Sequence, residues 1–188
     1  MLYAAAKRCI DVIGALVGLA ITSLLYIPLA IVIKSESPGP AIFRQERLGK
    51  DEAVFRIYKF RTMHLNASGD DGTKPKAGDE RVTRVGSFLR RTSLDELPQF
   101  LNVLRGEMSL VGPRPEQLRL IERYQPWQRR RFAVKPGLTG WWQVNGRPQP
   151  MYDHVEYDLY YVDHCSFRLD LLILLRTAHA ILSGEGAA

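Results

Sequence analysis

The dominant feature of the hydropathy pattern is an uninterrupted apolar run, "VIGALVGLAITSLLYIPLAIVI", over residues 12–33. At about 1.5 Å per residue a helix of this length reaches roughly 33 Å, enough to cross a hydrocarbon core of about 30 Å. It is apolar all round, as few helices of water-soluble domains are, and predicts membrane association. Lys7 and Arg8 precede the run; Lys34, Arg44, Arg47 and Lys50 follow it. Positive charge on both flanks favours a cytoplasmic position for both, and so a re-entrant helix that enters and leaves by one face. Such a helix needs a break, and Ser23 and Pro28 fall mid-run, where proline removes a donor and crowds the turn before it. One kinked spanning helix is the alternative. Gly14 and Gly18, one turn apart, predict close helix packing rather than a dimer site.

Beyond the run, β-prone stretches at 41–47 and 53–63 flank a turn at 49–51 and predict a small hairpin. Residues 64–80 are polar and rich in Gly, Asp and Lys, a long loop with Asp70 and Asp71 at its tip. Leu94, Leu97, Leu101 and Leu104 then recur on one helical face. Ser93 and Glu96 match a capping box, Pro98 is tolerated only near a helix start, and Gly106 is a natural stop. "VGPRP" is a stiff extended corner carrying Arg114. Short helices are expected over 116–124 and 127–132, with Arg129, Arg130 and Arg131 as a solvated or lipid-facing patch. "KPGLTGWWQVNGRPQP" reads as a loop wrapped around something, with Trp141 and Trp142 suited to stacking on a base or anchoring at headgroup level. The C-terminal part offers one or two amphipathic helices, too short and interrupted to span a bilayer, fit for the core or the membrane interface. The fold class expected is thus α+β: a mostly helical, monotopic membrane domain with a re-entrant anchor at 1–36 and the remainder, 37–188, forming one unit with it.

Composition narrows the partners. The chain has 188 residues, a formal net charge of +6 and a pI near 9.5, which calls for an anionic partner. Nucleic acid is disfavoured, because the apolar N-terminal run is present and a recognisable nucleic-acid module is absent. Cys9 and Cys165 are far apart, and the four histidines show no ligand spacing, which excludes a disulfide framework or a zinc site. P-loop, GxGxxG, HExxH and GxSxG patterns are missing, as is an Asp-x-Asp metal motif.

The chemistry concentrates in "RRTSLDELPQFLNVLRGEMSLVGPRPE", where Asp95 and Glu96 stand adjacent among arginines. Acidic residues in a first helical turn stabilise the helix dipole, so capping is one reading. A cap, however, requires neither a second carboxylate nor arginines on a rigid Pro-Arg-Pro corner. Lys59, Arg61, Arg90, Arg114 and Arg147 all lie in or beside turn-rich segments and suit phosphate oxygens. A carboxylate beside phosphate needs its repulsion cancelled, by such cations or by Mg²⁺, and can then attack phosphorus. The residues alone reach a membrane-attached protein that handles phosphates, either as an enzyme or as a scaffold gripping anionic lipid.

The motifs "KRCIDVIGALVGL", "YKFRTM", "LRRTSLDELPQFLNVLRGEMSLVGPRP", "VKPGLTGWWQVNGR" and "YDLYYVDHCSFRLDLLILLRT" together resemble, in order and over nearly the whole chain, the bacterial sugar transferase family of monotopic phosphoglycosyl transferases. The resemblance implies transfer of a phospho-sugar from a UDP-sugar to a polyprenyl phosphate at the cytoplasmic face of the bacterial inner membrane. It implies Asp95 as nucleophile, forming a covalent phospho-sugar with loss of UMP, and Glu96 beside it holding Mg²⁺ with Asp95 or steering the acceptor. It assigns Lys59, Arg90, Arg114 and Arg147 to phosphate or nucleotide contact, and Arg61 lies within the same "YKFRTM" motif. The family's membrane helix breaks at a Ser-Pro pair; here Leu24 follows Ser23 and the proline is Pro28. The sugar, the pathway served and any homo-oligomer stay open.

Overall fold

The computed structural model describes residues 2–65, 79–146 and 151–183. Asp70, Asp71 and Arg147 lie outside the described residues. The architecture mixes helices with two small sheets and begins with α1 (Leu2–Glu36), a helix of 35 residues with Pro28 inside it. The helix continues through Ser23 and Pro28, so the expected break is not there. Proline removes a single backbone donor, and a long apolar helix absorbs one lost bond.

α1 is polarised in the opposite sense to a core helix. Its buried residues are Asp11, Ala15, Gly18, Thr22 and Ile33, mostly small or polar. Ile10, Ile13, Leu16, Val17, Ile21, Leu24, Ile27 and Ile31 are exposed. Only 17% of its most apolar stretch is buried, which does not fit the core of a water-soluble domain. The glycines explain the close approach: a Cβ on Gly14 would stand 2.6 Å from Leu110 Cδ1, and one on Gly18 2.4 Å from the Phe100 ring. Gly14 and Gly18 therefore serve packing within the chain.

Polar contacts then tie α1 down along its length. Asp11 accepts from Ser109 Oγ and the Leu110 amide, both at 2.9 Å. Tyr3 and Lys7 donate to Asp170 at 2.9 and 2.8 Å. Arg8 donates to the carbonyls of Val103 and Leu104 at 2.7 Å each, at the negative end of a helix. Thr22 Oγ1 donates to Gly18 O at 2.6 Å and reaches Leu97 O at 3.3 Å.

The expected hairpin forms from β1 (Ile42–Leu48) and β2 (Val54–Phe60), antiparallel with Ile42 opposite Phe60. A 3₁₀ turn, Lys50–Glu52, closes it, with Asp51 and Glu52 both at positive φ. α2 (Arg84–Arg91) follows, capped by Thr83 Oγ1 accepting from the Gly86 amide. Next come a 3₁₀ segment, Leu94–Gln99, and α3 (Phe100–Arg105), ended by Gly106 at φ +83°. β3 (Ser109–Val111) pairs in parallel with β5 (Gly137–Thr139), while β4 (Glu116–Gln117) adds to the free edge of β1. α4 (Trp141–Val144), α5 (Glu156–Asp163) and α6 (Phe167–Ser183) complete the chain.

Residues 116–124 and 127–132 were expected to be helical. They are so in the 3₁₀ form, over Leu118–Arg123 and Gln128–Ala133, while Glu116–Gln117 is extended as β4. The β3–β5 pair explains why glycine is concentrated in "VGPRP" and "KPGLTG". A Cβ on Gly112 would lie 2.3 Å from Lys135 O, and one on Gly140 2.1 Å from Gly112 O. The two segments thus meet backbone to backbone, which fixes the Pro-Arg-Pro corner beside β1 and β2.

Candidate active site

Three segments converge on Asp95 and Glu96. α2 ends at Thr92, and Ser93, at φ 57°, swings the chain into the Leu94–Gln99 turn. The capping box does not form: the Ser93 side chain makes no cap bond, and the Glu96 amide reaches the Ser93 carbonyl at 3.2 Å. Glu96 faces β2 instead, where Lys59 Nζ meets its Oε1 at 2.6 Å, and Arg114 Nη1 stands 3.7 Å from the same oxygen. Arg90, in the last turn of α2, directs Nη1 to Thr62 Oγ1 at 3.5 Å and acts electrostatically on both carboxylates. Burial lowers its pKa from the ordinary guanidinium value.

Asp95 is 8% exposed and, among the described residues, its carboxyl accepts no hydrogen bond. Burial pushes its pKa up to about 6; Lys59 pulls it down, Glu96 pushes it up, and Arg90 and Arg114 pull it down. Loss of hydration therefore outweighs three nearby cations. The result is an ionisable, weakly solvated oxygen held in a positive surround.

The cations named from the sequence divide. Lys59, Arg90 and Arg114 gather at the carboxylates. Arg61 does not: it is buried and donates to Pro38 O at 2.7 Å and to Ser37 O, closing the C-terminal end of α1. Alternation along β2 and its extension sends Lys59 to the site, and the chain leaves the strand before Arg61.

Two further expectations are corrected. Trp142 is 1% exposed and part of the core, so it neither stacks on a base nor anchors in headgroups. Trp141 stacks on Tyr160 with ring centroids 5.3 Å apart and lies under Arg176. Arg131 is not solvated or lipid-facing but 1% exposed. It pairs with Asp158 at 2.6 Å and Glu116 at 3.4 Å, and donates to the Arg114 carbonyl at 2.8 Å. Tyr124 donates to Glu116 at 2.6 Å, completing a buried network behind Arg114. Arg129 and Arg130 stay at the surface, paired with Glu52 and Asp163. The sequence held only a faint sign of this network, the acidic residue directly after "GPRP".

The model of one family, described as bacterial sugar transferase, matches residues 2–184. The chain belongs to the bacterial sugar transferase family. Among the relatives in this family, the Aeromonas hydrophila protein named UDP-N-acetylgalactosamine-undecaprenyl-phosphate N-acetylgalactosaminephosphotransferase is 44% identical, over 99% of this chain and 46% of its own length. The Caulobacter vibrioides UDP-glucose:undecaprenyl-phosphate glucose-1-phosphate transferase is also 44% identical, over 96% of this chain and 71% of its own. A Bacillus subtilis sugar transferase named EpsL is 41% identical over 96% of this chain and 89% of its own. The chain thus spans under half the length of the first of these bacterial sugar transferases and most of the third.

Proposed function

We propose that this protein transfers a sugar 1-phosphate from a UDP-sugar to a polyprenyl phosphate such as undecaprenyl phosphate, releasing UMP through a covalent phospho-sugar on Asp95. The observation that carries the reading is the Asp95 carboxyl: buried, without a hydrogen bond, raised to a pKa of about 6, and ringed by Lys59, Arg90 and Arg114. Such a group is largely ionised at neutral pH yet poorly solvated, which favours nucleophilic attack. The printed names of relatives support a UDP-sugar donor and undecaprenyl-phosphate acceptor, and they carry different sugars.

In the first half-reaction an Asp95 oxygen bonds to the β-phosphorus. The bond from that phosphorus to the bridging oxygen breaks, and UMP leaves with that oxygen and its electron pair. In the second half, an oxygen of the lipid phosphate bonds to the same phosphorus and the Asp95–phosphorus bond breaks. The carboxylate is restored and a polyprenyl diphospho-sugar is formed. Lys59, Arg90 and Arg114 lower the repulsion between the carboxylate and the phosphates in both halves. Arg147 keeps its assignment to phosphate or nucleotide contact on the resemblance alone.

Asp95 and Glu96 would hold Mg²⁺. Among the described residues no cluster of three acidic, histidine or cysteine groups exists. Two adjacent carboxylates still fit an ion that takes its remaining oxygens from water and substrate phosphates, and the Asp95 oxygens accept no competing hydrogen bond among the described residues. Bound there, Mg²⁺ would neutralise charge on the phosphate oxygens.

The same reading places the protein as a monotopic unit at the cytoplasmic face of the bacterial inner membrane. Both ends of α1 are tied to one folded body: Tyr3 and Lys7 to Asp170, Glu36 to the Val85 amide at 2.9 Å, and Ser37 to Arg61. A spanning helix would carry one of its ends away to the other face, so these contacts support an anchor that stays on one face, and the unbroken helix favours one lying along the interface over a re-entrant one. Leu171, Leu175 and Leu182 on the exposed side of α6 suit the interface.

The test is UMP release with Mg²⁺ and undecaprenyl phosphate across a panel of UDP-sugars, comparing wild type with Asp95→Asn. Release with one sugar, abolished by the substitution, together with a phospho-sugar adduct on Asp95 detected by mass spectrometry, is the expected result. Release that survives Asp95→Asn would mean direct attack by the lipid phosphate.

A further inference from the structure

Behind Glu96 lies a cleft of about 260 Å³, counting the part open to solvent. Arg47 from β1, Lys59 from β2, Glu96 and Gln99 from the 3₁₀ segment and Arg114 from the Pro-Arg-Pro corner supply its polar lining, and Pro115 and Leu138 form apolar wall. Asp95 is not part of it. Three cations and one carboxylate line the cleft, with Glu96 paired to Lys59 and Arg114 and Arg47 donating to Gln45. The most buried residue of the polar lining is Gln99. Gln99 is 3% exposed, and its Nε2 has no hydrogen-bond partner among the described residues. A buried amide donor left unpaired is destabilising, and an apolar residue of the same size would fill the position at lower cost. The donor therefore makes sense if something entering the cleft accepts from it.

We propose that Gln99 and Arg47, with Lys59 and Arg114, form a phosphate subsite in this cleft, and that it takes the phosphate next to the one under attack. The proposal rests on the transferase reading above. A positive cleft with an arginine fork, a lysine and an amide donor selects a tetrahedral oxyanion. Its apolar wall lowers the local dielectric and strengthens each bond to that anion. Because the cleft includes Glu96 and excludes Asp95, an anion bound there lies beside the nucleophile rather than on it. In the first half-reaction that neighbour is the α-phosphate of the donor, which acquires charge as UMP departs, and Gln99 Nε2 would donate to it. In the second half it is the phosphate of the incoming lipid. The two sources share one chemistry and are separable by kinetics.

The variant is Gln99→Leu, which removes the amide while filling its volume. Losing a hydrogen bond to a charged oxygen should lower kcat/KM about 10- to 100-fold, with a thermal midpoint at or above that of wild type. Gln99→Glu, placing negative charge in the same volume, should lose at least as much. A smaller pre-steady-state burst of UMP and weaker inhibition by added UMP, with KM for polyprenyl phosphate unchanged, assigns the subsite to the donor. A raised KM for polyprenyl phosphate with the burst intact assigns it to the acceptor. Unchanged kinetics in Gln99→Leu beside an active wild type, or a loss that tracks a lowered thermal midpoint, overturns the subsite alone. A wild type that releases no UMP from any donor overturns the transferase reading and the subsite with it.

Discussion

Asp95→Asn should make the protein more stable while abolishing its chemistry. Burial holds the Asp95 carboxyl at about 6, against 3.8 for an unperturbed side chain. A gap of about two units corresponds to roughly 3 kcal/mol between the two protonation states. The folded pKa lies above the unfolded one, so folding favours the protonated acid. The penalty is absent below about pH 4, grows between about 4 and 6, and is complete above that. Asparagine has the same shape and never ionises, so at pH 7.5 in magnesium-free buffer it should gain up to about 3 kcal/mol. At about 2–4 °C per kcal/mol, the thermal midpoint should rise by up to about 10 °C. The assay is thermal unfolding in detergent or nanodiscs with EDTA, for both proteins, at pH 7.5 and pH 4.5. The gain should shrink to about a third, roughly 1 kcal/mol, at the lower pH. Added Mg²⁺ should raise the midpoint of wild type more than that of the variant. A variant no more stable than wild type at pH 7.5, or a gain that ignores pH, would refute the account of Asp95 as a strained carboxylate.

The remaining expectations concern positions whose role the fold reassigns or grades. Arg61→Gln leaves the carbonyls of Ser37 and Pro38 without their guanidinium donor and should destabilise by roughly 1–3 kcal/mol. Where the variant stays folded, it should leave the KM for the donor unchanged, as read by thermal unfolding and UMP-release kinetics. Gly18→Ala should cost more than Gly14→Ala in the same unfolding assay. The new methyl meets the Phe100 ring in the first case and the mobile end of Leu110 in the second, with overpacking of about 1–3 kcal/mol expected at Gly18.

Much of the fold was legible where a pattern is long or chemically loud. The apolar run of α1, the hairpin and the stop at Gly106 follow from hydropathy and turn residues alone. β3, β4 and β5 were not legible, because strands of two or three residues are set by tertiary backbone pairing and leave no period to read. The glycines of "VGPRP" and "KPGLTG" were visible, but their purpose, contact between two backbones, needed both segments in place. Lys59, Arg90 and Arg114 could be named from charge near the carboxylates. Arg61 and Arg131 could not be separated from them, since a buried arginine and a phosphate-binding one look alike in sequence. Gln99 carries no charge and drew no attention; only its burial with an unpaired donor marks it. Ser93 and Glu96 show a local motif overridden by a tertiary partner: Glu96 forgoes the cap for Lys59.

The inverted polarity of α1 joins membrane and site into one mechanical unit. In a domain built around water, a helix this apolar would turn its leucines and isoleucines inward. Here it turns mostly small and polar residues inward and leaves much of its apolar side exposed, as suits a membrane-associated helix. The inward stripe does not contact an arbitrary surface. Thr22 reaches the Leu97 carbonyl, in the same turn as Asp95 and Glu96. Gly18 lies under Phe100, directly after that turn, and Arg8 holds the carbonyls at the end of α3. The segment that carries the carboxylates is thus packed on the long apolar helix. Under the proposed function, an acceptor whose phosphate lies at the interface would meet the site at a height fixed by these contacts, replacing a search through solution by a local encounter.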